Sequence, residues 1–302
     1  MPIASPDVRA RGRFFPRWRG WLAAWALLGA FCAWASPGQP IVVADHREIL
    51  AAQSDALQVY DYTRHEPVYI FDFPSLGEQG RTFNRMVALI ERIGLSERRV
   101  LSDAELAAFI KATGKTEYTF AYGNDLLVSE LVIFFNLAEH HGIVLNEEER
   151  RLRQFLADRG LMRERFGFWQ AIRPRGVILS IPQVRSGGGE PPVDAQARET
   201  ILVHELAHAE YYTVPLYRAW CRKFWHEMLS AAQREKFRAF LARSGYDPGN
   251  EELMINETQA YLSFTPDPRA FNARLAGMGE AELAALREAF RAGAPTWPLT
   301  RR

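Results

Sequence analysis

Two histidines and a glutamate lie close together in a segment whose other residues are mostly apolar. His204 and His208 are four positions apart, and Glu205 directly follows the first histidine. If this segment is helical, the two imidazoles lie one turn apart on the same face and can bind one ion. Neutral imidazole is a good ligand for Zn²⁺, at distances of about 2.0–2.1 Å. The spacing therefore predicts a metal site on a helix.

Glu205 occupies a different position on the same helix. It follows His204 by one residue, about 100° around the helix axis, so it does not bind the ion beside the histidines. Zinc with three protein ligands lowers the pKa of a bound water molecule to about 7, and a neighbouring carboxylate can take the proton of that water. Glu205 is therefore the predicted general base of a hydrolytic reaction.

The segment 199–210 resembles the active-site helix of the zincin metallopeptidases. The metzincin branch requires glycine at position 211 and histidine at position 214, and Tyr211 and Val214 exclude it. In the gluzincin branch, a glutamate from a later helix is the third ligand. The pair Asn256-Glu257 resembles that motif. The resemblance implies that Glu257 completes a site for one zinc ion per chain.

One position departs from the gluzincin pattern. In thermolysin-like members, an aspartate four residues after the glutamate ligand supports a zinc-binding histidine, and this chain has Tyr261 there. Tyr261 either orients His204 or His208 through its hydroxyl group or faces the oxyanion of the transition state. The residues alone leave other third ligands open, namely His226, Glu227, Glu251 and Glu252.

Other polar or reactive residues have structural explanations. His140 and His141 end a predicted helix, where a positive charge interacts favourably with the helix dipole. Glu210 lies about 200° around the helix from His208 and is expected to point elsewhere. Cys221 lies in an apolar helical stretch and is expected to pack in the core. Outside the first 35 residues it is the only cysteine, so no intrachain disulfide is predicted.

The residues before the motif predict a mixture of strands and helices. Pro67 to Phe73 is rich in β-formers, whereas Thr82 to Ile93 has helical spacing. Further helices are predicted from Asn124-Asp125 to His141 and from Asn146 to Arg159. Residues 176–184 form the next predicted strand, and Pro182 favours a position at the sheet edge. Asp194 is the predicted N-cap of the motif helix.

After Tyr212 the chain is predicted to be wholly helical, with helices at 216–229, 231–243, 251–264 and 280–292. The predicted fold class is α+β and mainly helical, a zincin-like fold of two lobes with an α/β N-terminal part and a helical C-terminal part. The predicted organisation is a signal peptide at 1–35, an N-terminal α/β region of unknown role at 36–175, and a zincin-like catalytic region at 176–302.

The N-terminus has the layout of a secretory signal. Five arginines precede an apolar run from Trp21 to Ala35, which ends in the small-x-small pattern Ala33-Trp34-Ala35. The apolar run has 15 residues, fewer than the roughly 20 that a membrane-spanning helix needs. We expect cleavage after Ala35 and a periplasmic or secreted protein with no stable membrane span. The alternative is an inner-membrane anchor formed by residues 21–35.

Composition and charge fit this assignment. Lys+Arg number 37 and Asp+Glu 36, so the chain lacks the basic excess that nucleic-acid binding requires. The predicted function is that of an exported zinc metallopeptidase, with a peptide or protein substrate pairing along the strand near Val177 to Ile181. Two alternatives stay open: an inactive zincin-like binding module of the cell envelope, and a zinc hydrolase whose substrate is not a peptide.

Overall fold

The structure of the protein, a computed structural model, describes residues 41–63, 66–91 and 99–295. The predicted signal peptide lies outside the described residues. The fold is α+β and mainly helical, as the sequence predicts. The described residues all belong to one compact unit. Among them, no helix combines the length and the apolar character that a membrane span requires.

A five-stranded mixed sheet forms the centre of the N-terminal part. Its strands are, in spatial order, β1 (Val42–Val43), β2 (Gln58–Asp61), β3 (Val68–Phe73), β7 (Val177–Pro182) and β4 (Asn124–Leu127). Strand β7 runs parallel to β3 and antiparallel to β4. A separate hairpin consists of β5 (Met162–Arg165) and β6 (Phe168–Ala171).

The prediction that the strand near residues 176–184 lies at a sheet edge is wrong. Strand β7 has a partner on each side, and all six of its residues are buried. Pro182 is compatible with a central strand because it is the last residue of β7, where its missing N–H does not interrupt the ladder. The edge strand next to β7 is β4. A peptide therefore has no free strand edge along Val177 to Ile181.

The described residues from 41 to 160 include five helices: α1 (His46–Ala51), α2 (Leu76–Ile90), α3 (Asp103–Ala112), α4 (Val128–His140) and α5 (Glu147–Asp158). The predicted start of a helix at Asn124-Asp125 is wrong, because these residues form β4 and the helix begins at Val128. The Asn124 amide donates a hydrogen bond to Ser180 Oγ on β7, at 2.6 Å. This pairing across the sheet outweighs the local capping preference of asparagine.

The motif helix, α6 (Ala195–Thr213), packs on one face of the sheet. Asp194 is its N-cap, as predicted, and accepts a hydrogen bond from the backbone N–H of Ala197 at 2.7 Å. Leu202, Leu206 and Ala209 of α6 share a buried cluster with Leu179 and Ile181 of β7, among others. These apolar contacts therefore fix the distance between the helix and the sheet.

The rest of the described chain is helical, as predicted. The helices are α7 (Pro215–Lys223), a π-helical turn (Phe224–Met228), α8 (Ala231–Ser244), α9 (Glu251–Phe264), α10 (Ala273–Ala276) and α11 (Glu280–Gly293). They enclose a second core rich in aromatic residues, and buried Cys221 is one of its members, as predicted. Because β7 lies between β3 and β4, residues on both sides of the proposed boundary at 175 contribute to one sheet.

Candidate metal centre

Helix α6 places His204 and His208 one above the other, with ring centroids 4.7 Å apart. The Nε2 atoms of both rings face the same carboxylate: His204 Nε2 is 3.7 Å from Glu257 Oε2, and His208 Nε2 is 3.7 Å from Glu257 Oε1. Glu257 lies on α9, which packs against α6. The structure thus brings the three predicted ligands together across 49 residues of sequence.

The spacing of these atoms suits a metal ion. The potential ligand atoms of His204, His208 and Glu257 all lie within 4.8 Å of one another. In a tetrahedral zinc site, with ligands at about 2.0–2.2 Å, neighbouring ligand atoms are roughly 3.3–3.6 Å apart. The observed 3.7 Å separations therefore need only a small closure around an ion. The groups are close enough to hold a metal ion.

The other candidate third ligands lie elsewhere. His226 Nδ1 is 3.8 Å from Glu251 Oε1, and about half of each of these two side chains is exposed. Glu252 pairs with Arg218 and with Arg222 on α7. None of these residues is among the described groups that could hold a metal ion. Of the candidates that the sequence left open, Glu257 is the one that meets the two histidines.

A threonine determines the tautomer of His204. His204 Nδ1 is 2.8 Å from Thr265 Oγ1, and this hydroxyl donates its only proton to the carbonyl oxygen of Ala260 at 3.1 Å. Nδ1 must therefore be the protonated nitrogen and the donor, which leaves Nε2 with a free lone pair toward Glu257. Sequence reasoning missed Thr265, because it lies eight residues after Glu257, just beyond the end of α9.

The second histidine lies next to the edge strand. His208 Nδ1 lies 3.8 Å from Asp125 Oδ2 on β4. Asp125, Glu205 and His208 form a second group whose ligand atoms lie within 4.8 Å of one another. Sequence reasoning assigned residue 125 to a helix and missed this contact. The one feature of the sequence that could have indicated this contact is the position of an acidic residue next to an apolar stretch.

Burial controls the ionisation of the histidines. It lowers the pKa of His204 to about 4 and that of His208 to about 4, although the negative charge of Glu257 partly opposes this effect at His208. Both rings are therefore neutral near pH 7. Neutral imidazole is the form that binds a metal ion, so the site requires no deprotonation of its histidines at physiological pH.

Burial shifts the pKa values of the carboxyl groups of the site upward. Burial raises the pKa of Glu205 well above its usual range, and the negative charges of Glu257 and Glu91 add to this effect. Burial likewise raises the pKa of Asp125, and the nearby charge of Glu205 is the next largest cause. Several acidic groups thus share a small volume with two neutral imidazoles. A bound cation would stabilise this arrangement, which is a second sign that the residues fit a metal ion.

A glycine lies directly against the predicted general base. A β-carbon on Gly123, just before β4, would be 2.1 Å from Glu205 Oε1, 2.7 Å from Glu205 Cδ and 2.8 Å from Ile201 Cγ2. No side chain fits at this position without displacing the carboxylate. Gly123 is the third residue of the site that the sequence did not predict, because an isolated glycine in a loop gives no signal of the close approach.

Tyr261 lies beside the histidines, as the sequence suggested. Its ring packs edge-on against the ring of His204, with centroids 4.7 Å apart, and against Phe240 and Phe271 on its other sides. The contact is with His204 rather than His208. Orientation of a histidine and contact with an oxyanion both remain predictions for its hydroxyl group.

Three further residues behave as expected. His140 and His141 are exposed at the C-terminal end of α4. Glu210 is buried, and its charge acts on Tyr217 and Cys221 in the helical core. None of the three is among the described groups that could hold a metal ion.

The site opens into a cavity of about 630 Å³. Its lining includes His204, Glu205 and His208 on one side and the backbone segment 119–123 with Asp125 on the other. Tyr261, Thr265 and Arg269 line the remaining wall, among others. The volume lies in the usual range for a small-molecule or peptide site.

Comparisons of the chain with protein-family models, with curated proteins and with solved structures found no match.

Proposed function

We propose that this protein is a zinc-dependent metallopeptidase. The observation that supports this function most directly is the convergence of two imidazole Nε2 atoms on the two oxygens of one buried carboxylate, each pair 3.7 Å apart. The three residues come from two helices, and no local folding preference accounts for their meeting. The zincin-like fold and the gluzincin relationship are part of the same proposal.

Zinc is the metal that this donor set suits best. Two neutral imidazoles and one carboxylate, with a fourth position left for water, are typical of catalytic zinc sites, whereas magnesium and calcium prefer oxygen ligands alone. We assign His204, His208 and Glu257 as the ligands of one zinc ion per chain. Such an ion supplies polarisation of a water molecule and of a substrate carbonyl group.

Glu205 is the proposed general base. Its carboxylate lines the same cavity as the two histidines, and its ligand atom lies within 4.8 Å of a ring nitrogen of His208. It would accept a proton from the attacking water and pass it to the nitrogen of the leaving amine. Gly123 leaves the space that the carboxylate occupies, because a β-carbon at this position would clash with it.

The substrate class is inferred from the element beside the site. Among the described strands, β4 has a partner on one side only, and the segment that leads into it lines the cavity. An extended peptide that pairs with this edge would pass Gly123 and Asp125, next to Glu205 and His208. This edge replaces the Val177 to Ile181 strand of the sequence-based prediction. We propose peptides or proteins as substrates and, from the N-terminal sequence, an exported location.

The test uses residues 36–302, the predicted mature chain. Wild type should contain about one zinc per chain by elemental analysis, and His208→Ala and Glu257→Ala should lose it. Glu205→Gln should keep the zinc and lose cleavage of a peptide library by about 10²–10⁴-fold. Absence of zinc from wild type would overturn the proposal.

The activity measurement also separates the two alternatives. Zinc without peptide cleavage, together with hydrolysis of simple esters or amides that Glu205→Gln abolishes, would indicate a hydrolase of another class. Zinc that stabilises the fold, with no hydrolysis in either protein, would indicate a binding or structural module.

A further inference from the structure

The β5–β6 hairpin has an unusual residue in its turn. Arg165 pairs with Phe168, so the loop consists of Phe166 and Gly167 alone. Both have positive φ values, 56° and 77°, as a type I′ turn requires. Asparagine, aspartate or glycine normally occupies the first of these positions, and a bulky residue there is strained. Phe166 is therefore a poor choice for the stability of the turn.

The two faces of the hairpin differ. On the inner face, Trp169 is held by Asn136 of α4, which accepts from the Trp169 N–H at 2.8 Å and donates to its carbonyl at 2.9 Å. The outer face presents Arg163, Arg165 and Phe168 to solvent. Phe166 at the tip is 84% exposed and Phe168 is 64% exposed. Two phenylalanines thus project from an element that two hydrogen bonds hold to α4.

The surroundings of the hairpin are basic. Residues 159–175 contain five arginines and one acidic residue, whereas the whole chain has nearly equal numbers of basic and acidic residues. All five arginines are exposed: Arg159, Arg163, Arg165, Arg173 and Arg175. The Arg165 guanidinium lies over the ring of Phe166, 4.9 Å from its centroid. Positive charge therefore surrounds the exposed rings.

We propose that the β5–β6 hairpin binds the surface of a membrane that contains anionic lipids. Phe166 and Phe168 enter the boundary between headgroups and acyl chains, and the arginines contact the lipid phosphates. A protruding aromatic tip with basic flanks combines the two contributions that peripheral membrane binding needs, apolar insertion and attraction to anionic headgroups. The strain at Phe166 then has a functional reason. A turn with asparagine at this position would be less strained, but the asparagine side chain would not insert into the membrane.

The charge of this surface disfavours a second copy of the chain as its partner. A two-fold contact would bring the same arginines of both copies together, and like charges across an interface oppose association. The hairpin residues do not line the cavity beside His204. The proposal is thus independent of the proposed peptidase activity.

The experiment is a flotation assay with lipid vesicles. It uses residues 36–302, which include every described residue of the compact unit. Wild type should bind vesicles of phosphatidylcholine containing about one third phosphatidylglycerol, bind pure phosphatidylcholine weakly, and dissociate in high salt. Phe166→Asn should weaken binding at least about tenfold, the effect of withdrawing one inserted phenylalanine. Neutralising Arg163 or Arg165 with glutamine should weaken it about fivefold each.

Phe166→Asn also separates membrane binding from folding. Asparagine suits a positive φ, so this variant should be at least as thermally stable as wild type while its vesicle binding falls. Val144→Ser, at an aliphatic residue that is 82% exposed, and Arg274→Gln, at another exposed arginine, are the matched controls and should bind as wild type does.

Three results would overturn the proposal. They are failure of wild type to bind the anionic vesicles, equal binding by Phe166→Asn, and equal loss of binding in the control variants. Self-association or binding of single-stranded nucleic acid that depends on Phe166, without vesicle binding, would assign the surface to another class of partner.

Discussion

Helix α6 contains two buried polar clusters that differ in how their charges are balanced. Near its N-terminal end, the Arg198 guanidinium donates to both oxygens of Asp72, at 2.6 and 2.8 Å, and to the carbonyl oxygens of Pro182 and Ile49. At the middle of the helix, the charged groups that act on Glu205 are Glu257 and Glu91, both acidic.

The difference between the clusters indicates their roles. A buried carboxylate paired with a guanidinium is balanced by the protein itself and ties α6 to strand β3. Around Glu205, buried carboxylates lie beside neutral imidazoles, and a bound cation would stabilise the charged forms of these carboxylates. Burial of polar groups is thus common to both clusters, whereas the convergence of several acidic groups on two histidines is specific to the second. The following variants test this contrast.

The largest effect is expected from breaking the structural pair. Arg198→Met leaves the Asp72 carboxylate buried without its partner and should lower the free energy of unfolding by about 3–5 kcal/mol, measured by urea denaturation. The double variant Arg198→Met/Asp72→Asn should recover part of this loss, because no uncompensated charge remains. A change below about 1 kcal/mol in Arg198→Met would contradict the assigned role of the pair.

Removal of the metal should affect only the second cluster. With free zinc at about 100 times its dissociation constant, the folded state should gain about 2.7 kcal/mol, and a chelator should abolish this gain. His208→Ala should show no difference between zinc and chelator in thermal unfolding. Arg198→Met, by contrast, should retain the full zinc response on its lower baseline. An equal response in His208→Ala would disprove the assignment of that ligand.

Gly123→Ala tests the position of the general base within the second cluster. The added methyl group displaces the Glu205 carboxylate, and kcat/KM for a cleaved peptide should fall by about 10²-fold, because small displacements of a catalytic group have effects of this size. Zinc content should stay at the wild-type value. Gly279→Ala is the control, since a β-carbon there meets no atom within 4 Å and should change neither quantity.

The smallest effect is expected at the groups behind the histidines. Asp125→Asn removes the carboxyl group near His208 Nδ1 and should weaken zinc binding by about 10–100-fold in chelator competition, as does the loss of other groups that orient metal ligands. Thr265→Val should act similarly through His204, whose Nδ1 loses its acceptor. Unchanged zinc affinity in both variants would show that the helix alone orients the rings.

The edge strand is the element that the sequence predicted least well. Capping residues at Asn124-Asp125 and the apolar run after them favour a helix locally, and α4 does follow. The pairing of β4 with β7 decides the conformation of these four residues. A pattern of so few residues cannot indicate pairing with a strand about 50 positions away in the sequence. Neither Gly123 nor Asp125 was therefore expected at the site.

The sequence by itself determined the helices after Tyr212, the N-cap Asp194 and the spacing of His204, Glu205 and His208, because each depends on residues within about one helical turn. It also indicated Glu257, through resemblance to a motif. Only the tertiary structure decided that Glu257 meets both histidines, that β7 is central, and that Thr265, Asp125 and Gly123 surround the ligands. These contacts join α6 to α9 and to β4, and their geometry follows from how the helices and the sheet pack together.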